Sequence, residues 1–189
     1  MKLSIICSFY TPTLKDFNKT EMTTTNFKER LNNIQCFVFD IDGVLTDGDL
    51  HVLLDGTMLR QMNIKDGYAL QLANKKGYKI FVISGSNAEG AKKRLENLGI
   101  TEVHLNVKNK LLLLDNLLIQ HRVTYDHILY MGDDMPDIEV MKKCGAPTCP
   151  ADAVHQVKKE SIYVSEKNGG RGCVRDVIEQ VLTLHNKWE

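Results

Sequence analysis

The chain has 189 residues, enough for one full hydrophobic core and too few for two comfortable domains. Its apolar fraction of 43% and charged fraction of 25% are ordinary for a globular protein. Lys plus Arg and Asp plus Glu both number 24, so no net field draws the chain to nucleic acid or an anionic membrane. An acidic ligand therefore has to be caught by local cations. Five scattered cysteines make no disulfide framework; they read as packing thiols in a reducing cytoplasm, with a zinc site the lesser alternative. No apolar run is long enough to cross a bilayer.

Residues 1–25 differ from the rest. A mildly apolar start leads into a polar, Thr-rich stretch containing Met22, a second candidate start. They are expected to be a poorly ordered extension, with an export signal the minority reading because no clear cleavage site follows. The domain is expected over 26–189. A short helical lead-in at 26–31 precedes the apolar run Cys36-Phe37-Val38-Phe39, the signature of a strand buried on both faces. It ends in Asp40-Ile41-Asp42-Gly43, two carboxylates that an extended chain turns to one side, followed by a residue free to turn sharply.

Residues 49–54 and 57–64 then predict two strands of a small hairpin around Asp55-Gly56. A helix is expected over 68–76 with Gly77 as its stop, then a strand over 78–83 ending in Ser84-Gly85-Ser86. Asn87 is the expected cap of a helix reaching 98. A strand at 102–107 and a leucine-rich helix at 110–120, opened by Lys108-Asn109-Lys110, come next. The strand 127–131 runs into Gly132-Asp133-Asp134-Met135-Pro136-Asp137, where Pro136 fits the first turn of a helix ending near Gly145. A strand at 147–149, a helix at 152–159, a strand at 161–164 and a last helix at 173–185 complete the reading. This alternation predicts an α/β fold: a Rossmann-like parallel sheet with helices on both faces.

Four stations thus stand at successive strand ends: Asp40/Asp42, Ser84, Lys110 and Asp133/Asp134. Phosphoryl transfer needs such a set. A carboxylate can serve as nucleophile, and acidic residues from two strands can hold Mg²⁺ through oxygen. A lysine and a hydroxyl can carry charge on the phosphoryl oxygens, and a second acid can move the leaving-group proton.

These residues resemble the haloacid dehalogenase-like phosphatase superfamily, in the motifs DIDGVLTDG at 40–48, ISGS at 83–86, Lys110 and GDDMPD at 132–137. The resemblance implies Asp40 as nucleophile, Asp42 as general acid and base, and Ser84 and Lys110 as the groups holding the phosphate. It implies Mg²⁺ bound by the carboxylates of Asp40 and Asp133 and the main-chain carbonyl of Asp42, with Asp134 and Asp137 as outer or water-mediated partners. About 40 residues separate the first two motifs and roughly 25 the next two, so neither gap holds a cap domain. Capless relatives often complete the site with a neighbouring subunit.

Within that group the chain resembles the phosphatases of 3-deoxy-octulosonate 8-phosphate (Kdo 8-phosphate) over about 34–188, carried by DGVLTDG, Asn63 to Tyr68, the GDD motif and the late GGRG. That implies a small sugar-acid phosphate as substrate, in lipopolysaccharide sugar synthesis. Asn63, Ile64, Lys65, Asp66 and Gly67 would lie near the sugar acid, with Gly85 and Arg94 also contacting substrate. Arg171 would bind a carboxylate, from an adjacent protomer of a homotetramer. Ser86 stands where many relatives have Arg, and Gln71 is neutral where some have Arg, which leaves the sugar acid open. A nine-carbon sugar-acid phosphate, another small phosphomonoester, and a non-catalytic sugar-acid-binding or oligomerisation module remain as alternatives. A phosphoacceptor receiver domain does not suit a DxDG pair on the first strand.

Overall fold

The computed structural model describes residues 27–189, so the expectation for 1–25 lies outside the described residues. Strand β1 (Cys36–Phe39) occupies the middle of a six-stranded sheet. The others are β4 (Lys79–Ile83), β5 (Glu102–His104), β6 (Ile128–Met131), β7 (Ala146–Cys149) and β8 (Tyr163–Val164). Their order is β5-β4-β1-β6-β7-β8, and every pairing is parallel. From β1 the chain builds outward through β4 and β5, then crosses back to build β6, β7 and β8 on the other side. The order reverses beside β1, so a crevice opens at its carboxyl end, where ligands of open α/β sheets bind.

All four β1 side chains are buried, in alternation on two faces. Phe37 and Phe39 join Ile80, Val82, Leu129 and Met131 on one face. Helices α2 (Ile64–Lys75), α3 (Glu89–Asn97) and α7 (Cys173–Leu184) cover that face. Cys36 and Val38 join Phe81, Ile83 and Tyr130 on the other face. It is covered by α4 (Lys110–His121), α5 (Ile138–Met141) and α6 (His155–Glu160). Helix α1 (Phe27–Leu31) stacks the Phe27 ring on Tyr163. Cys36, Cys144, Cys149 and Cys173 are buried and free, and desolvation pushes each thiol up. They pack rather than react.

Several boundaries differ from the sequence reading, each for a local reason. The hairpin strands shrink to β2 (His51–Val52) and β3 (Met58–Leu59), tied back to the body by a bridge between Thr46 and Met62. Helix α2 starts at Ile64 because the Asn63 side chain accepts the Lys65 N–H at 2.8 Å. Asn87 does not cap α3, whose N-cap position is Ala88; Asn87 accepts instead from the Asn106 amide at 3.3 Å. Strand β5 ends at His104, and Asn106 beyond it adopts φ of 57°. Among the described residues only a helical turn at Ile41–Leu45, the hairpin and α2 lie between β1 and β4, and only α3 and β5 between β4 and α4, so no cap domain is present.

Asp66 links α2 to α7. It is buried and accepts from Gly172 N at 3.2 Å and Arg175 N at 2.7 Å, capping the first turn of α7. Replacing it by Ala leaves those amides without an acceptor. Asp66→Ala is expected to lower unfolding free energy by about 1–2 kcal/mol, the range for a lost cap. Urea denaturation of the two proteins checks this.

Candidate active site

Asp40 follows directly on β1, level with the ends of β4 and β6, because Phe39 pairs with Val82 and Met131. Its Oδ1 accepts from the next amide, Ile41 N, at 2.7 Å, and its Oδ2 lies 2.7 Å from Lys110 Nζ. Lys110 is the first residue of α4, held there by the Asn109 side chain, which accepts from Leu112 N at 2.8 Å. The same ammonium reaches Asp137 Oδ1 at 2.8 Å. Asp137 is fully buried and has little capacity left. Tyr130 Oη donates to its Oδ1 at 2.6 Å, and the amides of Asp133 and Asp134 donate to its Oδ2 at 3.1 and 3.4 Å.

Asp133 stands opposite Asp40 at the end of β6. Oxygens of Asp40, Asp133 and Asp137 all lie within 4.8 Å of one another. Since the donors around Asp137 have claimed both its oxygens, Asp40 and Asp133 are the two with lone pairs to give. Their oxygen-only chemistry fits a hard divalent cation. Gly43, at φ 79°, is what lets the chain pass: a Cβ there would lie 2.0 Å from Asp133 Oδ2. The electrostatics point the same way. Burial pushes Asp133 up to about 7, with the Asp40, Asp137 and Asp134 charges adding to the rise. Burial also raises Asp40, to about 6, against the Lys110 charge. For Lys110, burial is outweighed by Asp40 and Asp137, which keep it charged. One ammonium among three carboxylates leaves negative charge uncompensated.

A cleft of about 620 Å³ opens above this cluster, lined by Asp40, Asp42, Ser84, Gly85, Ser86, Lys108, Lys110, Asp133 and Asp134 among others. Ser84 is buried at the end of β4, and its Oγ accepts from Ser86 N at 3.1 Å and meets Ser86 Oγ at 3.0 Å. Asp134 caps the short turn at Met135, accepting its N–H at 2.8 Å.

Asp42 is gripped by a residue the sequence reading did not single out. Arg60, just past β3, donates through Nε to Oδ1 at 2.6 Å and through Nη2 to Oδ2 at 3.2 Å. Partial burial pushes Asp42 up, but hydrogen bonds from Arg60 and Ser86 and the Arg60 charge outweigh it, holding the carboxyl below its usual range. The signal was faint: an arginine at the inner root of a hairpin, next to the bridge between Thr46 and Met62.

The other expected substrate residues lie outside the cleft. Asn63 caps α2 and donates to Gly170 O at 3.4 Å, Ile64 is exposed, and Asp66 caps α7. Gly67 packs on Arg94 and Leu98. Arg94 lines a neighbouring cleft with Met58, Arg60 and Glu89. Lys65 and Arg171 share a shallow groove, where Arg171 pairs with Asp47 at 2.9 Å. The GGRG loop braces the turn after Asp40: Gly170 N donates to Val44 O at 2.9 Å, and a Cβ on Gly169 would lie 2.0 Å from Gly43 O.

No protein-family model matches the chain. It is 33% identical over 158 residues to the 3-deoxy-D-manno-octulosonate 8-phosphate phosphatase KdsC of Escherichia coli K12, covering 84% of each. The chain belongs to the Kdo 8-phosphate phosphatase family. Salmonella typhi KdsC is 32% identical over 164 residues, 87% of each chain. Solved structures agree. A probable YrbI family phosphatase of Pseudomonas syringae superposes with a TM-score of 0.83 at 31% identity, covering 85% of this chain and 92% of its own. The Moraxella catarrhalis Kdo 8-phosphate phosphatase, solved with magnesium, phosphate and Kdo, gives 0.83 at 28% identity, with coverage of 86% and 93%. A structure from Legionella pneumophila with 31% identity and a TM-score of 0.83 is described as a haloacid dehalogenase superfamily hydrolase.

The raised Asp133 makes a pH-dependent prediction for this family member. Its folded pKa of about 7 exceeds the unfolded value of about 3.9. Its contribution to stability is therefore fully present below pH about 4 and is lost as pH rises through about 7. Asp133→Asn removes that penalty. In cation-free buffer the variant should gain on wild type between pH 5 and pH 8 in urea denaturation; an unchanged difference contradicts the assignment.

Proposed function

We propose that the protein hydrolyses Kdo 8-phosphate to Kdo and inorganic phosphate through an aspartyl-phosphate on Asp40, with Mg²⁺ as cofactor. The observation that carries this reading is the Lys110 ammonium between Asp40 and Asp137, facing Asp133 across the cleft. An Asp40 oxygen bonds to phosphorus while the ester P–O bond breaks and its electron pair leaves with the sugar oxygen. That oxygen takes a proton from Asp42. Water then gives a proton to Asp42 and attacks phosphorus, the acyl P–O bond breaks, and Asp40 and phosphate are released. Incoming phosphate charge raises the affinity of Asp42 for its proton, countering the depression by Arg60.

Asp40, Asp133 and the main-chain carbonyl of Asp42 would hold Mg²⁺, with Asp134 and Asp137 behind them. When bound, the cation neutralises phosphate charge that would otherwise repel Asp40. Ser84, the Lys110 ammonium and the amides opening α4 suit the phosphoryl oxygens. Free buried thiols fit a cytoplasmic enzyme, and no helix among the described residues is long and apolar enough to cross a membrane.

The hairpin supports a homotetramer in which a neighbour completes the site. Val52, Leu54, Met58 and Leu59 are all exposed there, and Leu54 has no cover at all. Light scattering should give a tetramer mass for wild type and a smaller species for Leu54→Asp; a wild-type monomer overturns the assembly.

One observation keeps a second substrate in view: at position 86 the cleft is lined by a serine hydroxyl rather than a cation. A panel of sugar-acid phosphates with Mg²⁺ separates the readings. Kdo 8-phosphate should lead in kcat/KM by orders of magnitude, and both chelation and Asp40→Asn should abolish phosphate release. A nine-carbon sugar-acid 9-phosphate in the lead would move the substrate, and no release from any compound would sink the enzyme reading.

A further inference from the structure

Arg60 is unusual for a residue on an exposed hairpin. Its side chain is 9% exposed, while Met58 and Leu59 beside it stand in solvent. It lines the cleft between the hairpin and α3, and its guanidinium reaches through to Asp42 on the other side. Both Asp42 oxygens are engaged, by Nε at 2.6 Å and Nη2 at 3.2 Å. A planar fork of this kind fixes the plane of a carboxylate as well as its place, which a point charge does not. Thr46, itself buried, gives its hydroxyl proton to Ile41 O at 3.3 Å, and the Ser86 hydroxyl hydrogen-bonds to the same carboxylate as Arg60. Asp42 itself lines the cleft that holds Asp40 and Ser84. A buried guanidinium deprived of its carboxylate is costly, so the pair ties the hairpin root to the Asp42 rotamer.

We propose that Arg60 is the positioning residue for Asp42, aiming its carboxyl at the oxygen that leaves phosphorus. The proposal rests on the phosphatase reading above and adds a residue that acts through Asp42. Arg60 thereby makes leaving-group protonation depend on the hairpin. When that aim is lost, alcohols that need a proton to depart suffer, whereas a stabilised phenolate departs without one.

The test is a series of substituted phenyl phosphates of similar shape and increasing leaving-group basicity, assayed with Mg²⁺. Here kcat/KM reports the steps up to departure of the phenol. Arg60→Ala should cost p-nitrophenyl phosphate less than about threefold and unsubstituted phenyl phosphate at least about tenfold more, within the usual yield of general acid catalysis. The Brønsted slope therefore steepens. Arg60→Lys, which keeps charge and hydrophobic stem, should fold as wild type and give an intermediate slope. Equal losses across the series, in either variant, overturn the proposal and leave Arg60 a purely structural tie. Asp42→Asn run beside them should steepen the slope as well. If wild type releases no phosphate from any ester, or Asp40→Asn retains full activity, the phosphatase reading fails and the proposal with it.

Discussion

The Lys110 ammonium sits 2.7 Å from Asp40 and 2.8 Å from Asp137, almost wholly out of solvent. Three carboxylates and one cation share the carboxyl end of β1 and β6. Without Lys110, Asp40 and Asp137 would face each other unpaired in a site shielded from water, and a buried unpaired charge costs several kcal/mol. Much of the surrounding structure holds this pair in place. Asn109 fixes the helix start that presents the lysine, and Tyr130 and two main-chain amides hold the carboxylate behind it. The lysine thereby balances the cluster without neutralising it. The residual negative charge makes the site a receptor for a hard cation and, through that cation, for phosphate.

The backbone around the cluster is equally constrained. Gly43 passes where any side chain would collide with Asp133, and Gly132 does the same against Asp137. Gly169 and Gly170 bring the late loop onto the turn at 43–47, where Gly170 N donates to Val44 O. The GGRG loop, far along the chain, therefore packs on the turn that follows Asp40. Its arginine points elsewhere, to Asp47 and the groove beside α7. Without a cap domain the cleft stays open above Ser84 and Lys108. The hairpin beside it is tied down by Arg60 and exposes an apolar edge.

The sheet was legible because its central strands are unbroken apolar runs ending in charge or glycine. Cys36 to Phe39 and Ile128 to Met131 are short runs closed by charge or glycine, as buried strands are, and the carboxylates after them fell where the sheet order reverses. Lys110 was legible only by its place at a helix start in the order of motifs. Arg60 was not, since its partner Asp42 lies across a turn and the intervening hairpin reads as surface. Asn63 and Asp66 carried a substrate role only through the family resemblance. Their side chains also cap α2 and α7, a use that depends on helix ends meeting in three dimensions. The Asn87 cap failed similarly, because Asn106, remote in sequence, donates to its side-chain oxygen.

The proposed hydrolysis depends on Asp40 forming a bond to phosphorus. Acid quench during the first turnovers on Kdo 8-phosphate, followed by peptide mass mapping, tests that bond directly. A phosphoryl group on the peptide carrying Asp40, absent from Asp40→Asn, is the expected result. Full-rate phosphate release with no protein-bound phosphoryl at any time would mean that water attacks the ester directly, and Asp40 would then be a metal ligand alone.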